Sequence, residues 1–211
     1  MVFANRQEAG ELLAKKLGIL KINPKKAVVA GIARGGVAVA GVIARKLGIP
    51  LTAVVIKKLG APYNPELAIG ATASFGKPVL DRWLIADSLV SKEYLKGEVL
   101  KKRREAARRE KFLGISSFDY SEKDVIVVDD GLATGQTERA AAKVLKNLGA
   151  NRLILAVPCA SPSTLDLVGG DYDEVVCPVV DPELVAVGQF YSDFREVSDE
   201  EVKEILSKKI I

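Results

Sequence analysis

Residues 125–137 read Val-Ile-Val-Val-Asp-Asp-Gly-Leu-Ala-Thr-Gly-Gln-Thr. Four apolar β-formers end in two adjacent carboxylates, Asp129 and Asp130. A loop of small residues follows and runs into a helical pattern. A buried strand, a tight turn and a helix form the repeating unit of an open parallel sheet. In such sheets ligands bind beyond the carboxyl ends of the strands. The helix start offers unpaired N–H groups and positive dipole, which suit a phosphate. Gly131, Ala133 and Gly135 let the backbone approach closely, and Thr134 and Thr137 add hydroxyl donors. Asp129 and Asp130 stand where they would repel a phosphate, so sugar hydroxyls, or magnesium held through those hydroxyls, suit them better. Two carboxylates at one strand tip also repel each other unless something compensates. A Walker A loop would need Lys after its last glycine, but Gln136 follows Gly135, and GxGxxG spacing is absent.

Outward from this segment the alternation of strand and helix continues. The pattern predicts a helix over 6–17 and buried strands over 27–32 and 51–56, with a helix between them that resumes at Val37 after Gly35-Gly36. Further strands are expected over 124–128, 152–157 and 174–179, with helices over 135–148 and 163–168. The fold class is therefore α/β, a doubly wound parallel sheet of about five strands. One stretch breaks the alternation. Ala71 to Leu80 reads as a hairpin about Phe75-Gly76-Lys77, and a helical pattern then runs to about Leu113 with Ser91 as an N-cap. Glu98 to Lys102 and Glu105 to Arg109 have the spacing of helical ion pairs. We read residues 1–211 as a single domain with a hood inserted at about 59–122.

The composition narrows the chemistry. The chain has 211 residues, 48% apolar and 27% charged, enough for a full core. No uncharged run is long enough to cross a bilayer, and Met1 to Gly10 holds no apolar run, so a cytoplasmic location with no membrane partner is expected. Two cysteines, Cys159 and Cys177, do not make a disulfide framework. There is no histidine, which excludes Ser-His-Asp triads, Cys-His dyads and histidine zinc sites. The surplus of basic charge is local: Lys92 to Lys111 holds nine basic residues against four glutamates. Scarce Asn and Gln with abundant Lys, Arg, Ile and Val fit a thermophile.

The acidic motif resembles the binding motif of type I phosphoribosyltransferases for 5-phosphoribosyl 1-pyrophosphate (PRPP): apolar strand, Asp-Asp, small loop, Thr-Gly-x-Thr. The resemblance implies that Asp129 and Asp130 hold the ribose hydroxyls of PRPP. It makes Ala133, Thr134, Gly135, Gln136 and Thr137 the cradle of the 5'-phosphate. Ala33-Arg34-Gly35-Gly36, after the first core strand, is similar to the family's pyrophosphate loop, and Lys57-Lys58 at the tip of the second strand points to the same edge. Lys57 to Pro62, Asn64 to Ala71 and Ala186 to Phe194 resemble a bacterial and archaeal subgroup of the family, sometimes fused to a hydrolase domain.

What the resemblance implies is transfer of a phosphoribosyl group from PRPP to a nitrogenous acceptor, a nucleobase, in nucleotide salvage. The cofactor would be Mg2+, held through PRPP with no direct protein ligand, and a homodimer is expected. Val185, Val187, Phe190 and Tyr191 would line a hood over the base, main-chain groups of 185–188 reading its edge. Many 6-oxopurine enzymes carry an Asp in the loop before Thr-Gly and a Lys after the next strand. Here Ala133 and Cys159 stand at those places, which turns the expected acceptor away from hypoxanthine and guanine. The alternative function is a PRPP- or nucleotide-sensing regulator with little or no turnover. The basic helix admits three readings: a solvated face, which we favour, a lid over pyrophosphate, or a nucleic-acid contact. Nucleic acid is the least favoured partner, because the helix lacks interleaved aromatics for stacking.

Overall fold

The computed structural model of the chain describes residues 2–65, 67–115 and 118–208. In chain order its first elements are helix α1 (Arg6–Leu17), strand β1 (Ala27–Ile32), α2 (Gly35–Leu47) and β2 (Leu51–Val54). Strands β3 (Lys57–Gly60), β4 (Ala68–Thr72) and β5 (Val79–Leu80) follow, then α3 (Arg82–Asp87) and α4 (Lys92–Leu113). The chain continues through β6 (Asp124–Val128), α5 (Gln136–Asn147), β7 (Arg152–Ala156), β8 (Cys159–Ala160) and α6 (Pro162–Gly169). It ends with β9 (Glu174–Val176), β10 (Val179–Val180) and α7 (Asp199–Ser207).

Five strands form one parallel sheet in the order β2-β1-β6-β7-β9. Alternate side chains of each strand enter different cores. Val28, Ala30, Val125 and Val127 pack with α5 residues Ala141 and Leu145 on one face. Val29, Ile126 and Val128 pack with Leu13 and Leu17 of α1 and Ala40 and Ile43 of α2 on the other. Helices on both faces bury β1 throughout and most of β6 and β7, which is why these strands read as apolar runs. The doubly wound parallel architecture expected from the sequence is thus present.

The strand order reverses at β1. The chain passes from β1 to β2 on one side and returns through β6 on the other. Between these two crossings, β3, β4 and β5 build a separate antiparallel sheet, with the expected hairpin pairing Ala71 to Val79. Its apolar side (Leu59, Ile69) packs against α3 and α4, and Tyr94 donates a hydrogen bond to the Gly60 carbonyl at 3.0 Å. The helical pattern after the hairpin forms two helices, the second starting at the expected Ser91 cap. Leu89 takes a positive φ of 48°, and Ser91 caps the second helix by accepting from the Tyr94 N–H at 3.1 Å. The second core strand stops at Val54, short of Ile56, and Lys57 already belongs to the antiparallel sheet. The last strand likewise ends at Val176, because Val179–Val180 leaves the sheet to pair with β8.

Candidate functional site

The carboxyl ends of β1 and β6 are neighbours, and the order of the sheet reverses between them. Such a switch point opens a crevice in which doubly wound folds bind ligands. The turn Ala33–Gly36 leaves β1 and enters α2, and Asp129–Asp130 ends β6 beside it. The two loops touch. A Cβ at Gly35 would overlap the Asp130 carboxylate, and one at Gly36 would meet the Val128 carbonyl and the Asp129 Cα. Only glycines allow this approach. The helix therefore begins at Gly35, two residues before its expected start at Val37. The Ala33–Arg34 peptide is cis.

The repulsion expected between Asp129 and Asp130 is compensated differently for each. Arg6, the first residue of α1, reaches Asp130 Oδ2 with Nε at 2.8 Å and Nη2 at 2.7 Å. Both side chains are largely buried, 12% and 16% exposed, so the pair is shielded from solvent screening. The Arg6 guanidinium also lies 4.2 Å over the Phe194 ring, and its Nη1 donates to the Arg195 carbonyl at 2.8 Å. Among the described residues, Asp130 Oδ1 accepts no hydrogen bond. Asp129 instead faces Glu138, a buried carboxyl in the first turn of α5, through a side-chain hydrogen bond. Burial, and then the charge of Asp130 and Glu138, holds Asp129 well above the usual carboxylate range. Burial also raises Glu138. The Asp129–Glu138 pair therefore keeps a proton where isolated acids would lose theirs. Arg6 and Glu138 escaped the sequence reading: Arg6 looked like an ordinary polar position of an amphipathic helix, and Glu138 like a helical surface acid.

Beyond the acids the loop opens into α5. Gly135 is its N-cap with φ of 72° and no side-chain cap bond, so the first N–H groups of the helix are left for a ligand. Ala133, Thr134, Gln136 and Thr137 are exposed around this end. The loop is pinned from beneath, where Thr164 Oγ1 donates to the Ala133 carbonyl at 3.0 Å and the Leu132 N–H to the Cys159 carbonyl at 2.9 Å. Beside Gln136 and Thr137 a cleft of about 590 Å³ separates α5 from the antiparallel sheet, with Ile56, Lys58, Leu80, Arg82 and Lys143 in its walls. Among the described residues no group of three or more Cys, Asp or Glu is arranged to hold a metal.

The profile of the phosphoribosyl transferase domain matches residues 4–195. The chain belongs to the phosphoribosyl transferase family. Two curated Mycobacterium tuberculosis proteins, from strains H37Rv and CDC 1551 and named provisionally as phosphoribosyl transferases, are each 36% identical to it over 216 residues, 98% of this chain. The chain spans about half the length of these curated relatives, 47%. Among solved structures, TT1426 from Thermus thermophilus is similar over 98% of both chains, with 39% identity and a TM-score of 0.87. A purine phosphoribosyltransferase from Pyrococcus horikoshii shares the fold over 92% of both chains, with 21% identity and a TM-score of 0.50.

Against this phosphoribosyl transferase fold, several expected site residues lie apart from the crevice or are otherwise engaged. Arg34 is ion-paired to Glu196 and 3.9 Å from Asp199, so its guanidinium turns to the start of α7. Lys57 and Lys58 open β3, not the tip of β2, with Lys57 paired to Thr72. Phe190 and Tyr191 are buried core residues beside Phe3 and Cys159. Tyr191 stacks on Phe194, and its hydroxyl donates to the Asp130 carbonyl at 2.7 Å, so its contribution is to brace the acidic turn. Its ring is covered because the segment before α1 pairs there, the Phe3 N–H donating to the Phe190 carbonyl at 2.7 Å. Val187 packs against Gly131, and Val185 is exposed. The N–H groups of Val185 and Ala186 donate to Gln189 Oε1 at 2.9 and 2.8 Å, which occupies two of the main-chain donors expected to read a base. Cys159 and Cys177 are free thiols, and burial pushes them up to about 12 and about 11, so neither is a thiolate nucleophile at neutral pH.

The basic helix is more committed than a solvated face. Arg109 Nη1 is 2.6 Å from Asp199 Oδ2, and Arg103 donates to the Gly76 carbonyl. Lys102 pairs with Glu105 at 3.1 Å. The expected Glu98–Lys102 and Glu105–Arg109 pairs give way to these contacts, because Arg103 and Arg109 point at neighbouring elements. No helix of the described residues is long and apolar enough to cross a membrane.

Proposed function

We propose that the chain transfers a phosphoribosyl group from magnesium-bound PRPP to a nitrogenous acceptor, a nucleobase, with release of pyrophosphate. The observation that carries the reading is the meeting of the Gly35–Gly36 turn, the Asp129–Asp130 tip and the open start of α5 at one switch point. Family membership supports PRPP-dependent transfer. In this reading Asp129 and Asp130 receive the ribose hydroxyls, and Ala133 to Thr137 receive the 5'-phosphate. The backbone of Ala33 to Gly36 receives the pyrophosphate, while Lys58 stands in the wall of the neighbouring cleft. The largely buried Asp130 carboxylate is a hard oxygen donor that suits magnesium held through the PRPP hydroxyls. When bound, the ion would neutralise charge on the leaving pyrophosphate.

The reaction breaks the bond from the anomeric carbon to pyrophosphate and forms one to a ring nitrogen. Positive charge develops on the sugar as the leaving group departs. The chain's part is to hold both reactants in line and to offer amides to the departing anion. Ala133 carries no group that exchanges a proton, and the Cys159 thiol is buried, so neither favours a 6-oxopurine by hydrogen bonding. Hypoxanthine and guanine are then poor acceptors, and adenine, xanthine or a non-purine base is better.

The test is steady-state turnover of PRPP with magnesium and a panel of bases. Formation of a nucleoside 5'-monophosphate with pyrophosphate supports the reading. Tight PRPP binding with no turnover on any base would move the chain to the regulator class. A clear preference for hypoxanthine or guanine would overturn the acceptor argument.

A further inference from the structure

Arg6 stands outside every motif that marks the site, yet it makes the only ion pair that the described residues offer Asp130. It is held there from several directions. Asn5 caps α1 by accepting from the Gln7 and Glu8 N–H groups at 3.0 and 3.2 Å, which fixes where the helix begins. Phe3 and Ala4 are paired to the C-terminal segment, whose Ser192 and Asp193 N–H groups donate to their carbonyls at 2.8 and 3.0 Å. The guanidinium is then sandwiched between the Asp130 carboxylate and the Phe194 ring. Its Nε and Nη2 both go to Oδ2, and Oδ1 has no hydrogen-bond partner among the described residues. Tyr191 meanwhile accepts no role at the crevice but fixes the main chain of the same residue through the Asp130 carbonyl.

We infer that Arg6 is a positioning residue of the donor site: it holds the Asp130 carboxylate in one orientation, with Oδ1 presented to the ribose diol. This inference rests on the proposed reading of Asp130 as a ribose ligand. The two N–H groups anchor Oδ2 at one point, and with the Cβ–Cγ axis set by the main chain, that anchor sets the rotation of the carboxylate about the axis; a lysine ammonium, a point charge on a flexible stem, anchors it less closely. The start of α1 and the segment 190–195 thereby become parts of a site otherwise built from β1, β6 and α5. A carboxylate free to rotate would accept the same hydroxyls at a cost in ordering.

The experiment compares wild type, Arg6→Gln and Arg6→Lys by calorimetry with three probes: magnesium-PRPP, ribose 5-phosphate, and magnesium-pyrophosphate, which has no ribose. Circular dichroism and thermal melts establish folding. We expect Arg6→Gln to weaken PRPP and ribose 5-phosphate by about ten- to hundredfold, to spare pyrophosphate, and to be partly rescued by Arg6→Lys. In a double-mutant cycle with Asp130→Asn, the Arg6→Gln loss should largely vanish, because the arginine acts through that carboxylate. Unchanged PRPP affinity in folded Arg6→Gln overturns the inference. So does a loss shared equally by pyrophosphate, or one fully additive with Asp130→Asn. Should Arg6→Gln fail to fold, Arg6→Lys with the same probes decides: affinities equal to wild type overturn the inference. Failure of the wild type to bind PRPP would instead overturn the proposed function itself.

Discussion

Gly35 lies so close against Asp130 that a single added methyl would overlap the carboxylate. The contact joins the turn after β1 to the tip of β6, and it defines the floor of the crevice. Gly35→Ala should therefore either displace the Asp130 carboxylate or open the gap between the two strands. Overpacking of this kind costs about 1–3 kcal/mol. Thermal denaturation should show the loss, and calorimetry should show weakened PRPP binding. Wild-type stability and affinity together would mean that the contact carries no constraint.

The two acids of the motif separate in their effect on stability. From sequence, removing both charges is expected to relieve repulsion. The structure divides that expectation. Asp130→Asn strands the largely buried Arg6 guanidinium and should cost about 1–3 kcal/mol. Asp129→Asn removes a carboxyl whose charged form burial already disfavours, so it should be close to neutral or stabilising. Urea midpoints of the two single variants test this. Equal changes in both would contradict the asymmetric compensation.

A pH dependence follows from the Asp129–Glu138 pair. Burial raises both groups in the folded chain, so the folded state binds more protons than the unfolded state just above the ordinary carboxylate range. Stability therefore falls as pH rises from about 4 towards the folded titration, and the penalty is absent below the unfolded values. Glu138→Gln supplies an amide donor to Asp129 and removes a competing charge. It should flatten that slope when denaturation midpoints are followed from acidic to neutral pH. An unchanged slope in the variant would place the proton elsewhere.

The arginines of α4 divide into two classes. Arg109 is bound to Asp199 and Arg103 to the Gly76 carbonyl, while Arg104 and Arg108 are exposed. Arg109→Gln should cost about 1 kcal/mol, since the pair is only partly shielded. Arg104→Gln and Arg108→Gln should stay within about 0.5 kcal/mol. Chemical denaturation measures both. A large fall in PRPP turnover in the Arg104 or Arg108 variant, with stability intact, would reveal a ligand contact on that face.

The placement of Gly135 changes the choice of variant for the phosphate cradle. The sequence assigns this glycine to close approach of a phosphate. Its φ of 72° alone disfavours a side chain, and a Cβ there would stand 2.7 Å from Val168 Cγ1 and 3.1 Å from Thr164 Cγ2 of α6. Gly135→Val would therefore disturb the packing of α6 along with any ligand. Thr137 is exposed, so Thr137→Val should keep the fold, and in calorimetry it should weaken nucleoside 5'-monophosphates but not free bases. Equal loss of both classes would count against the cradle.

What the sequence alone determined is whatever depends on neighbours along the chain. Apolar runs at 27–32, 124–128 and 152–156 are strands because strands buried on both faces need no alternation. Ser91 starts α4 through its side-chain cap, and Gly48 and Gly114 end α2 and α4 through local left-handed backbone geometry. The acidic tip and the small-residue loop were legible for the same reason, since strand, turn and helix are contiguous. Tertiary structure alone decided what crosses the sheet. Nothing local says that β6 returns beside β1, and without that return Gly35 does not meet Asp130. Arg6 lies 124 positions from Asp130, and no periodicity in α1 distinguishes it from the other polar residues of that helix. Glu138 reads as a surface acid until the packing of α5 on β6 buries it against Asp129. Phe190 and Tyr191 likewise look like ligand-stacking aromatics until the segment before α1 covers them. Local propensity sets which segments are strands and helices. Long-range pairing, driven by burial of their apolar faces, sets which charges meet, and here it supplied one acid with a cation and set the other against a second buried carboxyl.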